Sequence, residues 1–120
     1  MVLIGKDLNI TSAETLFMLA LKASGSISGS EIVKKITNEL GKEWIPTPGA
    51  TYKILQSLQK KELIQETTES EEIEDQRIRV YKLTEKGREN ADILCQRITK
   101  LFIFMNSCCP GCCDGVISVQ

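Results

Sequence analysis

Apolar and polar residues alternate at helical spacing after residue 47. One side of this segment carries Thr51, Leu55 and Leu58, with Ile54 beside them, which is the spacing of a single helix face. The opposite side is polar or basic with an aromatic ring on its flank, and comprises Gly49, Lys53, Gln56, Lys60 and Tyr52. Thr47 is a good N-cap and Pro48 suits the first helical position. The pattern predicts a short amphipathic helix of the form that lies in a DNA major groove, although most such helices are only solvated surface helices.

Two capping-box patterns precede this helix, at residues 11–14 and 28–31. A box of this kind marks a helix start, so it predicts a first helix that ends near Ser24 and a second that stops at Gly41. Residues 1–10 form an arm of uncertain structure. Lys34 lies on the polar side of the second helix, where it is a candidate phosphate contact or an ordinary surface lysine.

Two segments rich in β-branched and aromatic residues flank an acidic tract. Residues 63–68 and 77–87 predict the strands of a hairpin, and residues 69–76 its charged loop. A helix followed at once by a hairpin is the winged-helix arrangement. We expect Arg77 and Arg79, at the base of the hairpin, to contact phosphates, and the acidic tip to stay away from them, splayed or mobile.

A last helix is predicted from Glu85 to Met105, with Thr84 as its cap. Its apolar residues recur at intervals of 3, 4, 3 and 4, at Ala91, Leu94, Ile98, Leu101 and Met105. This is a heptad seam, and its end is thickened into an all-round apolar surface by Phe102, Ile103 and Phe104. Such a surface exceeds what one small core can cover, so it predicts an isologous dimer. Packing against the first helix of the same chain is the alternative, and both can hold together.

An ordered set of residues runs through these elements. It comprises Trp44, Pro46, Thr47, Gly49, Tyr52, Leu55, Leu63, Ile64, Arg77, Arg79, Tyr81 and the run Leu83, Thr84, Glu85, Lys86, Gly87. Over residues 12 to 104 the set resembles the signature of the PadR family of prokaryotic winged-helix transcriptional regulators. The resemblance implies an α+β, mostly α fold: a winged helix-turn-helix with a long C-terminal dimerisation helix. It also implies a homodimer that binds double-stranded DNA sequence-specifically and represses transcription.

Four positions depart from the family pattern: Ser30, Ala50, Thr51 and Lys53. They leave the predicted fold intact but change the usual contacts, and so the operator sequence. We expect bases to be contacted by Thr47, Tyr52, Lys53 and Gln56, and phosphates by Lys53, Lys60, Arg77 and Arg79. Pro48 and Gly49 complete the start of the helix. The resemblance also implies a small-molecule effector, because many PadR-like proteins are released from DNA by small aromatic ligands held in the dimer. In one branch the ligand stacks on a Trp of the last helix; the last helix of this chain has no Trp, so that mode is not expected.

Length and composition fit one small domain. The chain has 120 residues, 42% of them hydrophobic, which suffices for one modest core. We divide it into an arm at 1–11, a winged-helix domain at 12–84, a dimerisation helix at 85–106 and a cysteine-rich tail at 107–120. It shows no apolar run of about 18 residues and no secretory signal, so we expect a cytoplasmic prokaryotic protein without membrane contact.

Charge is distributed unevenly along the chain. The net charge is −1, whereas DNA-binding domains are often basic. Residues 1–61 have eight lysines against five carboxylates, residues 62–76 have seven carboxylates and no base, and residues 77–100 have seven bases against three carboxylates. Away from the acidic tract the chain is therefore basic. That tract also suits a competing function, a winged-helix module that binds another protein.

The end of the chain holds four cysteines within six residues, Cys108, Cys109, Cys112 and Cys113. Clustered thiolates favour soft metals. Three interpretations stay open: a metal or arsenic sensor; a thiol-redox switch with a thiol-reactive effector, or a disulfide staple across the dimer; and an engineered tag or a solvated tail without a binding role. These cysteines are weak metal candidates, because zinc sites need two Cys pairs or a pair plus His. With no His, P-loop or nucleophile elbow, we expect neither an enzyme nor a cofactor.

Overall fold

A computed structural model describes residues 5–44, 47–67 and 79–108, together with the backbone at 72–73 and 76–77. These residues form four α-helices: α1 (Ser12–Ser24), α2 (Gly29–Leu40), α3 (Pro48–Lys60) and α4 (Glu85–Cys108). The strands are β1 (Ile27–Ser28), β2 (Ile64–Glu66), β3 (Glu72–Ile73), β4 (Gln76–Arg77) and β5 (Val80–Leu83). Short 3-10 turns lie at Lys6–Leu8 and Lys42–Trp44.

The helices begin where the sequence predicts. Thr11 and Glu14 form a reciprocal capping box at the start of α1, and Thr84 Oγ1 accepts the Gly87 N–H at 3.0 Å at the start of α4. Ser28 caps α2 by accepting the Glu31 N–H. In the described part of the chain the Glu31 side chain returns no bond, so the second predicted box is a simple Ser28 cap.

The predicted hairpin is confirmed and is joined by a third strand. β5 lies between β1 and β2 in an antiparallel sheet, with Ile64 opposite Leu83 and Ile27 opposite Tyr81. β3 and β4 form a separate antiparallel pair that places Glu72 opposite Arg77. The expectation that Arg77 lies at the base of the hairpin is therefore wrong, since its backbone belongs to the outer pair. Four residues between β2 and β5 are paired with one another and are therefore not splayed. The rest of the acidic tip lies outside the described residues, so its expected mobility stays a prediction.

One core joins the sheet to all four helices. Its buried apolar residues are Ile10, Phe17, Met18, Ala20, Leu21, Ile32, Ile36, Leu55, Leu58, Leu63, Ile64, Tyr81, Leu83, Ala91 and Leu94. The alternation of buried Tyr81 and Leu83 with half-buried Val80 and Lys82 is that of a strand with one face on a core. Among the described residues of α4, none beyond Leu94 belongs to this core.

The segment before α1 packs against the domain. Ile10 is 5% exposed, and Asp7 makes two hydrogen bonds of 2.6 and 2.9 Å with the Arg97 guanidinium on α4. Residues 5–11 are thus held by both polar and apolar contacts, which the sequence pattern had left open. No helix in the described part of the chain is long and apolar enough to cross a membrane.

Candidate nucleic-acid interface

The predicted recognition helix is α3, and its start is capped by Thr47. Thr47 Oγ1 accepts the Ala50 N–H at 3.3 Å, and the Thr47 carbonyl accepts the Thr51 N–H at 2.9 Å. Thr47 has an extended backbone and Pro48 opens the helix, where a missing N–H costs no intrahelical bond. The free N–H groups of this first turn make the helix start electropositive.

Helix α3 is amphipathic in the orientation that its sequence predicts. Leu55 and Leu58 are buried at 6% and 0% exposure, and Thr51 and Ile54 are half-buried. The side predicted to contact DNA is exposed at every described position: Thr47, Gly49, Tyr52, Lys53, Gln56 and Lys60. The structure therefore brings these candidate residues together on one face.

Positive charge on this face is not neutralised nearby. In the described part of the chain, no carboxylate lies within ion-pair distance of Lys53 or Lys60. Lys34, on the preceding helix α2, is also exposed. Its ammonium group likewise has no ion-pair partner among the described residues, so it remains available to an external anion.

The described part of the wing holds an ion pair that the sequence did not predict. Arg79 is exposed, but its Nε lies 3.9 Å from Oε1 of Glu66 on the neighbouring strand. An exposed pair at this distance is weak and readily exchanged, so Arg79 can still meet a phosphate. The side chain of Arg77 lies outside the described residues.

A second exposed surface lies at the distal end of α4. Ile103, Phe104 and Met105 are 61%, 63% and 47% exposed, and Ile98, Leu101 and Phe102 are half-buried. Ala91 and Leu94, which the heptad pattern assigns to the dimer seam, are both 0% exposed in the core of one chain. That part of the predicted dimer surface is wrong, because these two side chains are already buried in the core of the same chain.

Sequence reasoning missed a buried ion pair at the other end of α3. The Lys61 ammonium lies 2.7 Å from Glu14 Oε1 and 2.9 Å from Oε2, and the Ser57 hydroxyl donates to Oε2 at 2.8 Å. Burial works to raise the pKa of the Glu14 carboxyl, but the hydrogen bonds from Lys61, Thr11 and Ser57 outweigh it and hold that pKa below its ordinary value. The capping box gives Glu14 a local role, and nothing local signals its partners on α3.

Two of the five cysteines lie in the described residues. The Cys95 thiol is half-buried on α4, 3.7 Å from the Lys22 ammonium. That ammonium also pairs with Asp92 at 2.6 Å, and this hydrogen bond is the main cause that raises the Lys22 pKa. Cys108 is the exposed last residue of α4 rather than part of a separate tail. Cys109, Cys112 and Cys113 lie outside the described residues, and the described ones hold no metal-binding group of His, Cys, Asp and Glu.

Comparison with known proteins identifies relatives of this arrangement. The sequence model of the Transcriptional regulator PadR-like family matches residues 18–93. A crystal structure of a PadR family transcription regulator from hypervirulent Clostridium difficile R20291 is similar at 22% identity and a TM-score of 0.61. That match covers 78% of this chain and 95% of the other. No curated protein sequence matches.

Two further solved structures share the fold. YusO from Bacillus subtilis matches at 20% identity and a TM-score of 0.64, over 87% of this chain and 66% of that one. A mutant MarR from E. coli, crystallised in complex with operator DNA, matches at 18% identity and a TM-score of 0.58, over 78% and 59%. The matched part of the present chain thus spans about two thirds or less of these two proteins. At such identities the likeness shows the winged-helix fold alone.

Proposed function

Since the chain belongs to the PadR-like family of transcriptional regulators, we propose that it binds double-stranded DNA sequence-specifically as a homodimer, in the cytoplasm of a prokaryote, and represses transcription by occupying a promoter. The observation that carries the proposal is the exposed polar and basic face of α3. On its apolar side Leu55 and Leu58 are buried in the core, with Thr51 and Ile54 half-buried, so the polar face is the one presented to a ligand. A helix of 13 residues is about 20 Å long, which suits a major groove about 12 Å wide.

Phosphate contacts come from the edges of this face and from the wing. Lys53 and Lys60 have no ionic partner among the described residues, and Lys34 adds a third exposed ammonium group. Arg79 extends the positive surface along the wing once a DNA phosphate replaces Glu66 as its partner. Arg77 is assigned to the DNA phosphates from the sequence alone. The start of α3 at Thr47 adds backbone N–H groups to the same task.

Base contacts come from the same exposed face, and Lys53 is assigned to both tasks. Gln56 has the paired donor and acceptor that fit an adenine edge, and Lys53 donates to guanine. Thr47 and Tyr52 lie on the same exposed side, and Tyr52 is 54% exposed, so its ring is free to pack against bases or sugars. Gly49 has no side chain that would keep the helix from the groove, and the side chain of Pro48, also predicted at this contact, lies outside the described residues.

The homodimer is proposed on the exposed apolar end of α4. This helix has 24 residues and is therefore about 36 Å long. Its first half packs on the domain and its second half carries Leu101, Phe102, Phe104 and Met105. Pairing these surfaces in two copies would hide them from water and present two α3 helices to half-sites about 34 Å apart. Release from DNA by a small molecule, or by a thiol-reactive compound that acts on the cysteines, stays a prediction.

Fluorescence anisotropy on mixed genomic DNA fragments at two salt concentrations tests this function. Affinity should rise steeply as salt falls, because phosphate contacts release counterions. Lys53→Ala should weaken binding and lower the salt slope by about 1, whereas the exposed Lys100→Ala on α4 should change neither. An unchanged slope in Lys53→Ala would remove this residue from the phosphate contacts.

Selection of binding sites from random DNA tests base recognition. Gln56→Ala should change the preference at one base pair by about 1–3 kcal/mol. An identical preference would remove Gln56 from the base contacts. If the wild-type protein binds no DNA even at low salt, the DNA function is refuted, and the acidic tract becomes the surface to test for a protein partner.

A further inference from the structure

A buried carboxylate that makes no proposed DNA contact lies between α1 and α3. Glu14 is 2% exposed. Its Oε1 accepts the Thr11 N–H at 2.9 Å and the Lys61 ammonium at 2.7 Å, while Oε2 accepts the Ser57 hydroxyl at 2.8 Å. A buried charge is tolerated only when it is paired and hydrogen-bonded. The four groups therefore favour the one placement of α3 that satisfies them all.

The Lys61 ammonium brings a third segment to the same point. It donates to the Asn9 carbonyl at 2.6 Å, and the Lys61 side chain is only 23% exposed. Residue 61 directly follows the last residue of α3, so the ammonium group joins this end of the helix to α1 and to the segment before α1. Moving α3 away would leave Glu14 and Lys61 without their main partners.

The turn after α3 is also bound to the beginning of α4. Thr84 Oγ1 donates to the Glu62 carbonyl at 2.6 Å, and the Thr84 N–H donates to the Leu63 carbonyl at 3.0 Å. The Lys86 ammonium donates to the Lys61 carbonyl at 3.2 Å. The end of α3 is thus attached on one side to α1 and on the other to the helix that carries the apolar distal surface.

We propose that Glu14 is a positioning residue for DNA recognition, which holds α3 at one angle to α1 and α4 without touching DNA itself. This inference rests on the proposed DNA binding through α3. The attachment lies at one end of a helix about 20 Å long, so a rotation of about 3° there moves the other end by about 1 Å. A shift of that size exceeds the range of distances over which a hydrogen bond to a base edge forms.

The positioning role predicts a selective loss. Glu14→Gln removes the charge that pairs with the Lys61 ammonium but keeps one oxygen that can accept a hydrogen bond. Because the ion pair is lost, α3 should lose its fixed angle. Affinity for the selected DNA site should fall at least tenfold, whereas affinity for non-specific DNA and the salt slope should stay as in the wild type, because the phosphate-contacting lysines are untouched. Ser57→Ala, which keeps the ion pair, should show a smaller loss of the same kind.

Glu89→Gln provides the matched control, since Glu89 is an exposed carboxylate on α4. It should leave both affinities unchanged. Loss of affinity for both kinds of DNA in equal proportion, in protein shown to be folded by circular dichroism, would overturn the positioning role. So would an unchanged ratio of specific to non-specific affinity in both Glu14→Gln and Ser57→Ala.

Hydrogen exchange in the absence of DNA separates this inference from the proposed function. Amides in residues 57–63 should exchange at least tenfold faster in Glu14→Gln than in the wild type, with those of α2 unchanged. This result in a protein that binds no DNA would support the positioning of α3 and refute the DNA function. Unchanged exchange in residues 57–63 would refute the positioning whatever the DNA result.

Discussion

Replacing Gly87 with alanine should destabilise the protein although it improves helix propensity. Gly87 lies in the first turn of α4, and a Cβ there would stand 1.9 Å from the Leu63 carbonyl oxygen and 2.9 Å from its carbon. Contacts between carbon and a carbonyl oxygen normally stand at about 3.3 Å or more. The start of α4 and the turn before β2 would therefore have to separate by about 1 Å or more.

The cost follows from the bonds that such a separation breaks. Thr84 spans this gap with its bonds to the Glu62 and Leu63 carbonyls, and each is worth about 1 kcal/mol net. Crowding adds about 1–3 kcal/mol, and the gain in helix propensity returns about 1 kcal/mol. We expect Gly87→Ala to lower the free energy of unfolding by about 2–4 kcal/mol.

Urea unfolding followed by circular dichroism, at one fixed protein concentration, measures this difference. Gly49→Ala on α3 is the matched control, because a Cβ there meets nothing within 4 Å. It should leave stability unchanged or raise it by up to about 1 kcal/mol. A Gly87→Ala protein as stable as Gly49→Ala would refute the close approach of α4 to Leu63.

The remaining predictions concern association and pH. Phe104→Glu should convert a dimer to a monomer in sedimentation equilibrium, with little effect on the stability of each chain. Leu94→Ala should instead lower the free energy of unfolding by about 2–5 kcal/mol and leave association intact. The reverse pattern would contradict the assignment of Phe104 to the dimer surface and of Leu94 to the core. Because the Glu14 carboxyl has a lowered pKa in the folded state, its contribution to stability is complete above its ordinary pKa of 4.5 and is lost as the pH falls through the folded value. As the pH is lowered, the free energy of unfolding should therefore fall less steeply in Glu14→Gln than in the wild type. Parallel curves for the two proteins would show that the pKa of the Glu14 carboxyl is not lowered in the folded state.

The heptad pattern of α4 illustrates how far apolar periodicity can be interpreted. It marks one apolar face of the helix, but it does not state what covers that face. Ala91 and Leu94 are covered by the same chain, whereas Phe104 and Met105 are not covered in one protomer. The repeat is continuous across both halves, because intramolecular and intermolecular helix packing require the same spacing.

The sequence alone determined what depends on neighbours a few positions apart. The caps at Thr11, Thr47 and Thr84 act on N–H groups three residues away, and the two faces of α3 follow from its 3.6-residue period. The hairpin prediction likewise rests on the β-branched and aromatic residues within each of the two segments, 63–68 and 77–87. These features predicted the winged helix and the face of α3 that we assign to DNA.

Only the tertiary structure decided which distant groups meet. Glu14 is a capping residue in the sequence, and its pairing with Ser57 and Lys61 spans 43 and 47 positions. Nothing in the residues near Gly87 explains why this position is a glycine; the explanation is the carbonyl of Leu63, which leaves no room for a Cβ. Such contacts depend on how whole helices pack, and since any carboxylate can pair with any nearby lysine, spacing along the chain does not specify the partner.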